Sequence, residues 1–215
     1  MAIEVKICGL SDEQGVSAAL AGGADLLGFV FYPPSPRYVA PASAAALCRY
    51  AGERALRVGL FVDPSDDLLS SILAAAPLDM VQLHGKETPQ RVAEIRERFG
   101  HPVMKALPVA EAADLEAADK YLPVADRLLF DAKPPKGMKD ALPGGNALSF
   151  DWKILAGRDW KRPWMLAGGL SPDNLAEAVK ISGARRVDVS SGVESKPGKK
   201  DPERIKALLA IAKGL

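Results

Sequence analysis

Cysteine and histidine are scarce in this chain of 215 residues, with two of each. Cys8 and Cys48 lie far apart and in different kinds of element, so neither a disulfide framework nor a CxxC metal spacing is present. His84 and His101 make no visible metal constellation, and none is expected. A dominant charge is missing too: 28 Lys and Arg stand against 27 Asp and Glu, a net +1 without long basic or acidic blocks. That argues against a nucleic-acid footprint and against a membrane-surface helix. No apolar run approaches the ~20 residues of a membrane span. MAIEVKICGL lacks a basic segment followed by a long apolar stretch, so no signal peptide is expected. A reducing cytoplasm is the simplest setting. A Pro-, Ser- or Gly-rich linker is also lacking, and residues 1–215 are read as a single domain.

Hydrophobic residues are plentiful, at 48%, enough for a sizeable core. Short apolar strands alternate with amphipathic helices. Strands are expected at Val5–Cys8, Leu26–Phe31, Leu56–Val62, Met80–Leu83, Val103–Ala106, Arg127–Phe130, Trp164–Ala167 and Val187–Val189. Helical spacing marks Asp12–Ala21, Pro41–Tyr50, Leu68–Leu73, Val92–Phe99, Glu111–Lys120 and Ile205–Ala212, and Phe150-Asp151-Trp152 opens a short helix. Another helix is expected with Ser171 as N-cap, Pro172 at its first position and Gly183 at its end. Strict alternation argues a parallel sheet. Eight such units argue a closed (β/α)8 TIM barrel of the α/β class, although the chain is shorter than the typical ~250 residues. The loop Ala132–Leu148, with Pro134, Pro135, Gly137, Pro143, Gly144 and Gly145, is read as an active-site loop.

In such a barrel, chemistry sits where strands run into their following helices. Strands seven and eight end in Gly168-Gly169 and Ser190-Ser191-Gly192. Small residues with free backbone N–H groups at neighbouring strand ends suit a phosphate. Cys8 ends strand one, and Lys6 shares its face of the strand. If that face is inward, the ammonium favours a thiolate, able to act as a base; otherwise Cys8 is core packing. Asp131 closes the apolar run LLFD and is either a general acid or a turn cap. Arg37 follows Pro-Pro-Ser-Pro, a stiff loop that could aim a guanidinium at a carboxylate or leave it solvated. His84 is a proton carrier or a structural histidine. Asp188 is the counter-ion of Lys6 or a substrate contact. Cys48, beside Leu47 on an apolar helix face, is structural.

The segments VKICGL, GADLLGFVFYPPSPRYV, VGLFVD, VQLHG, LLFDAK, FDW, AGGLSPDN and VDVSSGVESKPGKKD occur in this order. Together they resemble the phosphoribosylanthranilate isomerase family of tryptophan biosynthesis, from Val5 to the C-terminus. The loop sequence LPGGNALSFDW is a modest departure, since many members read GGTG-x-x-FDW there. The resemblance implies Cys8 as general base, Asp131 as general acid and Arg37 as the anthranilate ligand. It places phosphate on the backbone of Gly168, Gly169, Ser191 and Gly192. Lys6, His84 and Asp188, read from their places on the strands, are counted with the substrate-binding residues, their individual roles left open. The implied reaction is an Amadori rearrangement of a phosphosugar, without cofactor, by a monomer or a homodimer. The alternative is a non-catalytic phosphosugar-binding barrel, which would need Gly168, Gly169 and Ser191 but neither Cys8 nor Asp131.

Overall fold

The computed structural model describes residues 3–135, 137, 142, 144–146 and 148–215. Strands β1 (Glu4–Cys8), β2 (Leu26–Val30), β3 (Leu56–Phe61), β4 (Met80–Leu83), β5 (Val103–Val109), β6 (Arg127–Ala132), β7 (Trp164–Leu166) and β8 (Arg186–Val189) pair in sequence order. Every pairing is parallel, and β8 returns to β1 with Lys6 opposite Asp188. The expected (β/α)8 barrel is the fold. Outside it lie α1 (Glu13–Gly22), α2 (Pro41–Ala51), α3 (Asp66–Ala75), α4 (Pro89–Phe99), α5 (Leu175–Ser182) and α6 (Pro202–Lys213).

The strands' two-residue period sorts their side chains. Ile7, Leu27, Phe29, Val81, Leu83, Leu128, Phe130 and Val187 join the layer beneath the helices. Leu26, Val58, Met80, Met104, Ala106, Leu129, Met165 and Ala167 form a separate cluster, the filling of the barrel. Above that filling lie Cys8, Val30 and Leu60, so the polar groups at the strand ends stand on an apolar floor. Parallel strands covered on both faces need such continuous apolar runs.

Local sequence sets most helix ends. Asp12 accepts from the Gly15 N–H at 2.7 Å and starts α1; Thr88 and Pro89 start α4, and Gly100 ends it in a left-handed conformation. Three readings need correction. After β5, Glu111 and Asp114 form a reciprocal capping box, but Ala112–Lys120 winds as a tighter 3-10 helix. Another 3-10 turn, Trp152–Leu155, is the short helix opened by Asp151. Ser171 does not cap α5. Its N–H donates to Asn174 Oδ1 at 2.8 Å, and Asn174 Nδ2 donates to the Gly169 carbonyl at 2.9 Å. Asn174 thereby holds residues 171–174 in a turn, and α5 starts at Leu175. Finally, β8 is followed by an antiparallel hairpin of β9 (Glu194–Lys196) and β10 (Lys199–Lys200), which lies outside the eight expected strands.

The expected loop Ala132–Leu148 lies only partly within the described residues; Pro143 is outside them. No helix among the described residues is long and apolar enough to cross a membrane.

Candidate active site

The strand ends surround one cleft that opens to solvent. Cys8, Arg37, His84, Asp131 and Asp188 all line it, as do Gly168, Gly169, Ser190 and Ser191. Val30, Tyr32, Leu60 and Leu170 supply apolar wall, and Leu142, Gly144, Gly145 and Asn146 close over from the loop after β6. Lys6 and Gly192 are not lining residues. Among the described residues no group of three or more His, Cys, Asp and Glu could hold a metal ion.

Lys6 lies in the barrel beneath Cys8, with 0% exposure. Its Nζ donates to Asp188 Oδ1 at 2.9 Å across the β1–β8 seam. Burial works against the ammonium, but Asp188 and then Cys8 outweigh it, and the pKa of Lys6 is raised. Asp188 is thus the counter-ion of Lys6 and a wall of the cleft at once. Opposite Lys6 and Cys8 stands Gly28 of β2. A Cβ there would lie 2.9 Å from both Cys8 Sγ and Lys6 Nζ, so only glycine leaves room for the pair.

Cys8 does face inward with Lys6, yet the expectation of a resting thiolate fails. The residue is 4% exposed, and burial pushes its thiol pKa up further than Lys6 brings it down; Asp188 adds to the rise. Cys8 therefore rests as a thiol with a cation beside it. Cys48 is also buried, and desolvation lifts its pKa to about 11.

Asp131 sits near the end of β6, and its Oδ1 accepts from the Ala132 N–H at 2.9 Å. Its Oδ2 lies 3.2 Å from His84 Nε2, and His84 Nδ1 lies 3.0 Å from Gln82 Nε2. Gln82 Oε1 is buried without a partner among the described residues. Arg37 is buried, not solvated. Its Nε and Nη2 donate to the two carboxylate oxygens of Glu194, at 2.8 and 2.9 Å.

Gly168 and Gly169 have φ of 88° and 63°, left-handed values that suit glycine and turn their backbone toward the cleft. The model of the family described as N-(5'phosphoribosyl)anthranilate (PRA) isomerase matches residues 5–210. The chain belongs to this isomerase family. An N-(5'-phosphoribosyl)anthranilate isomerase of Paramagnetospirillum magneticum is 60% identical over 214 residues, covering 100% of this chain and 99% of that protein. The relative from Rhodospirillum centenum is 57% identical, and the alignment covers both chains fully. Among solved structures, phosphoribosyl anthranilate isomerase from Thermotoga maritima has a TM-score of 0.88 at 37% identity, covering 99% of this chain and 100% of that one. A phosphoribosyl anthranilate isomerase in complex with reduced 1-(o-carboxyphenylamino)-1-deoxyribulose 5-phosphate has a TM-score of 0.85 at 36% identity, with the same coverage.

Within this member of the isomerase family, sequence reasoning missed Gly28, Gln82, Glu194 and Lys200. A glycine inside the apolar strand LLGFV is a sign of close approach. Gln82, two residues before His84, shares its face by the same rule that joined Lys6 to Cys8. Glu194 and Lys200 offered no comparable signal, because Arg37, the partner of Glu194, lies far away in the chain.

Proposed function

We propose that Cys8 and Asp131 are the proton-transferring pair with which this chain isomerises N-(5'-phosphoribosyl)anthranilate. The product is 1-(2-carboxyphenylamino)-1-deoxyribulose 5-phosphate, in tryptophan biosynthesis. The observation that carries the reading is the meeting of Cys8, Asp131, Arg37 and two anion-suited turns in one cleft. Binding of a reduced form of this product by the related structure supports it.

In this reading, the backbone of Gly168, Gly169 and Ser191 takes the phosphate, and Arg37 takes the anthranilate carboxylate. The two ends of the substrate are then fixed, so remote binding energy orients the reacting carbons. Asp131 protonates the ring oxygen, and the sugar opens to a protonated Schiff base. The Cys8 thiolate removes the C2′ proton, giving an enolamine that tautomerises to the ketone. A thiol of raised pKa is sparsely ionised but is a stronger base when ionised. Lys6 stands beside it to stabilise the thiolate. Proton transfers suffice for the reaction, so no cofactor is required.

Asp131 must carry a proton to act as acid. With the Gln82 amide nitrogen toward His84, Nδ1 accepts and Nε2–H donates to Asp131 Oδ2. Turning the amide offers Oε1 to an Nδ1–H and leaves Nε2 to accept from a protonated Asp131.

The decisive experiment follows the decay of phosphoribosylanthranilate fluorescence with wild type, Cys8→Ala and Asp131→Ala. Wild type consumes the substrate, and each variant loses roughly 10²–10⁴-fold in kcat. Activity that survives Cys8→Ala would keep the reaction and remove the assigned base. Binding without turnover in wild type would reduce the chain to a phosphosugar-binding barrel.

A further inference from the structure

We propose that Glu194 is a positioning residue for recognition of the substrate carboxylate, acting through Arg37, with Lys200 holding Glu194 in place. The proposal rests on the reading that Arg37 takes that carboxylate.

A guanidinium offers two edges for two-point pairing. Glu194 occupies the edge made by Nε and Nη2 of Arg37. The remaining edge, Nη1 with the second Nη2 hydrogen, has no partner among the described residues. Nη1 lies against Gly145, in the loop that covers the cleft: a Cβ on that glycine would come within 2.6 Å of it. Glu194 therefore fixes which edge the ligand meets.

Glu194 is itself held rigidly. Lys200 Nζ donates to its Oε1 at 2.8 Å, and the Gly198 N–H donates to its Oε2 at 3.3 Å. Lys200 also donates to the Ser190 carbonyl at 2.9 Å, and Ser190 Oγ donates to the Cys8 carbonyl at 3.0 Å. The carboxylate grip and the strand carrying the base thus share one framework. Gly198 seats the hairpin on the Arg37 loop, where a Cβ would lie 2.2 Å from the Pro36 carbonyl oxygen.

Charge makes the second argument. Arg37, Glu194 and Lys200 are all buried. Two cations and one carboxylate leave a surplus positive charge at the wall of an aqueous cleft. Burial lowers the pKa of Lys200, Glu194 opposes the fall, and Arg37 adds to it. A ligand carboxylate would relieve that surplus, as an internal carboxylate does for an ordinary buried cation.

The test compares phosphoribosylanthranilate with the analogue made from aniline, which lacks the carboxylate. Wild type prefers the carboxylate-bearing substrate. In Glu194→Gln, KM for that substrate rises about tenfold, the value of one charged hydrogen-bonding contact. The preference over the aniline analogue shrinks by a similar factor. A role in folding alone would lower activity on both substrates together, and that result, or an unchanged preference, would overturn the proposal. Gly198→Ala keeps Glu194 but lifts the hairpin from Pro36, and it must narrow the preference in the same direction. It carries the test if Glu194→Gln does not fold. Arg37→Ala checks the underlying reading separately: a preference that survives it means that Arg37 does not hold the carboxylate at all.

Discussion

Glu87 and Glu194 are both nearly inaccessible carboxylates, and each faces buried cations. Around Glu87 the hydrogen bonding is closed. Lys105 Nζ gives its three donors to Glu87 Oε2, the Gly85 carbonyl and, at 3.4 Å, the Leu83 carbonyl. Glu87 Oε1 accepts from the Asp63 and Gly85 N–H groups, and one carboxylate balances one ammonium. Around Glu194 there are two cations, and a guanidinium edge remains toward the cleft. The difference separates scaffold from site. A neutral, fully satisfied pair locks the loop after β4. An over-charged one, with donors left over among the described residues, is what the proposed carboxylate grip calls for.

Lys105→Met should break the first arrangement most severely. It strands the Glu87 carboxylate, and removal of one partner from a buried pair costs ~3–5 kcal/mol. Denaturant unfolding reads that loss, while KM of the protein that remains folded stays near wild type. Adding Glu87→Leu should restore only part of the stability, because the Asp63 and Gly85 N–H groups stay unpaired. A raised KM without lost stability would reverse the two assignments.

Lys6 stands between these cases, with one carboxylate, Asp188, and one thiol, Cys8. Gly28→Ala would push a methyl group against both members of the Lys6–Cys8 contact. Overpacking of this kind costs ~1–3 kcal/mol, and a thermal melt with kinetics will show both lower stability and a slower reaction. Wild-type melting and turnover in that variant would mean that Lys6 and Cys8 do not share this space.

A subtler change is the pH dependence of the thiol. Folding raises the Cys8 pKa, so the reactive, deprotonated form is depleted at neutral pH and grows as pH rises toward a value above the ordinary thiol range. Iodoacetamide should therefore modify Cys8 about tenfold faster per pH unit through pH 8.5, without a plateau. The same limb should appear in kcat/KM when Cys8 is the base. A plateau at lower pH would mean that Lys6 outweighs burial. The smallest effect belongs to solvent-exposed pairs such as Lys206–Glu203: Lys206→Ala should leave melting temperature and KM unchanged.

How much of this was legible depended on the distance over which each cause acts. The eight strands could be read because a short apolar run is written into each segment. The shared face of Lys6 and Cys8 follows from a two-residue period, but its inward direction stayed open until the closed barrel placed it. The protonation of Cys8 could not be read, because burial by strands far along the chain outweighs the neighbour two residues away. The start of α5 was misplaced for a similar reason. Ser171-Pro172 satisfies a capping rule, but Asn174 reaches back to Gly169 and holds a turn instead. Glu194 was invisible because its partner Arg37 lies 157 residues earlier.

The pairing of Lys6 with Asp188 spans 182 residues and crosses the seam where the first strand meets the last. Synthesis and folding therefore supply the two halves of the cleft at opposite ends of the process. Without β8 in place, Lys6 lacks its carboxylate partner and the cleft lacks the wall formed by Asp188, Ser190 and Ser191. Regained turnover after dilution from denaturant is then expected to report the closing of the ring, whereas far-ultraviolet dichroism reports its strands and helices wherever they form.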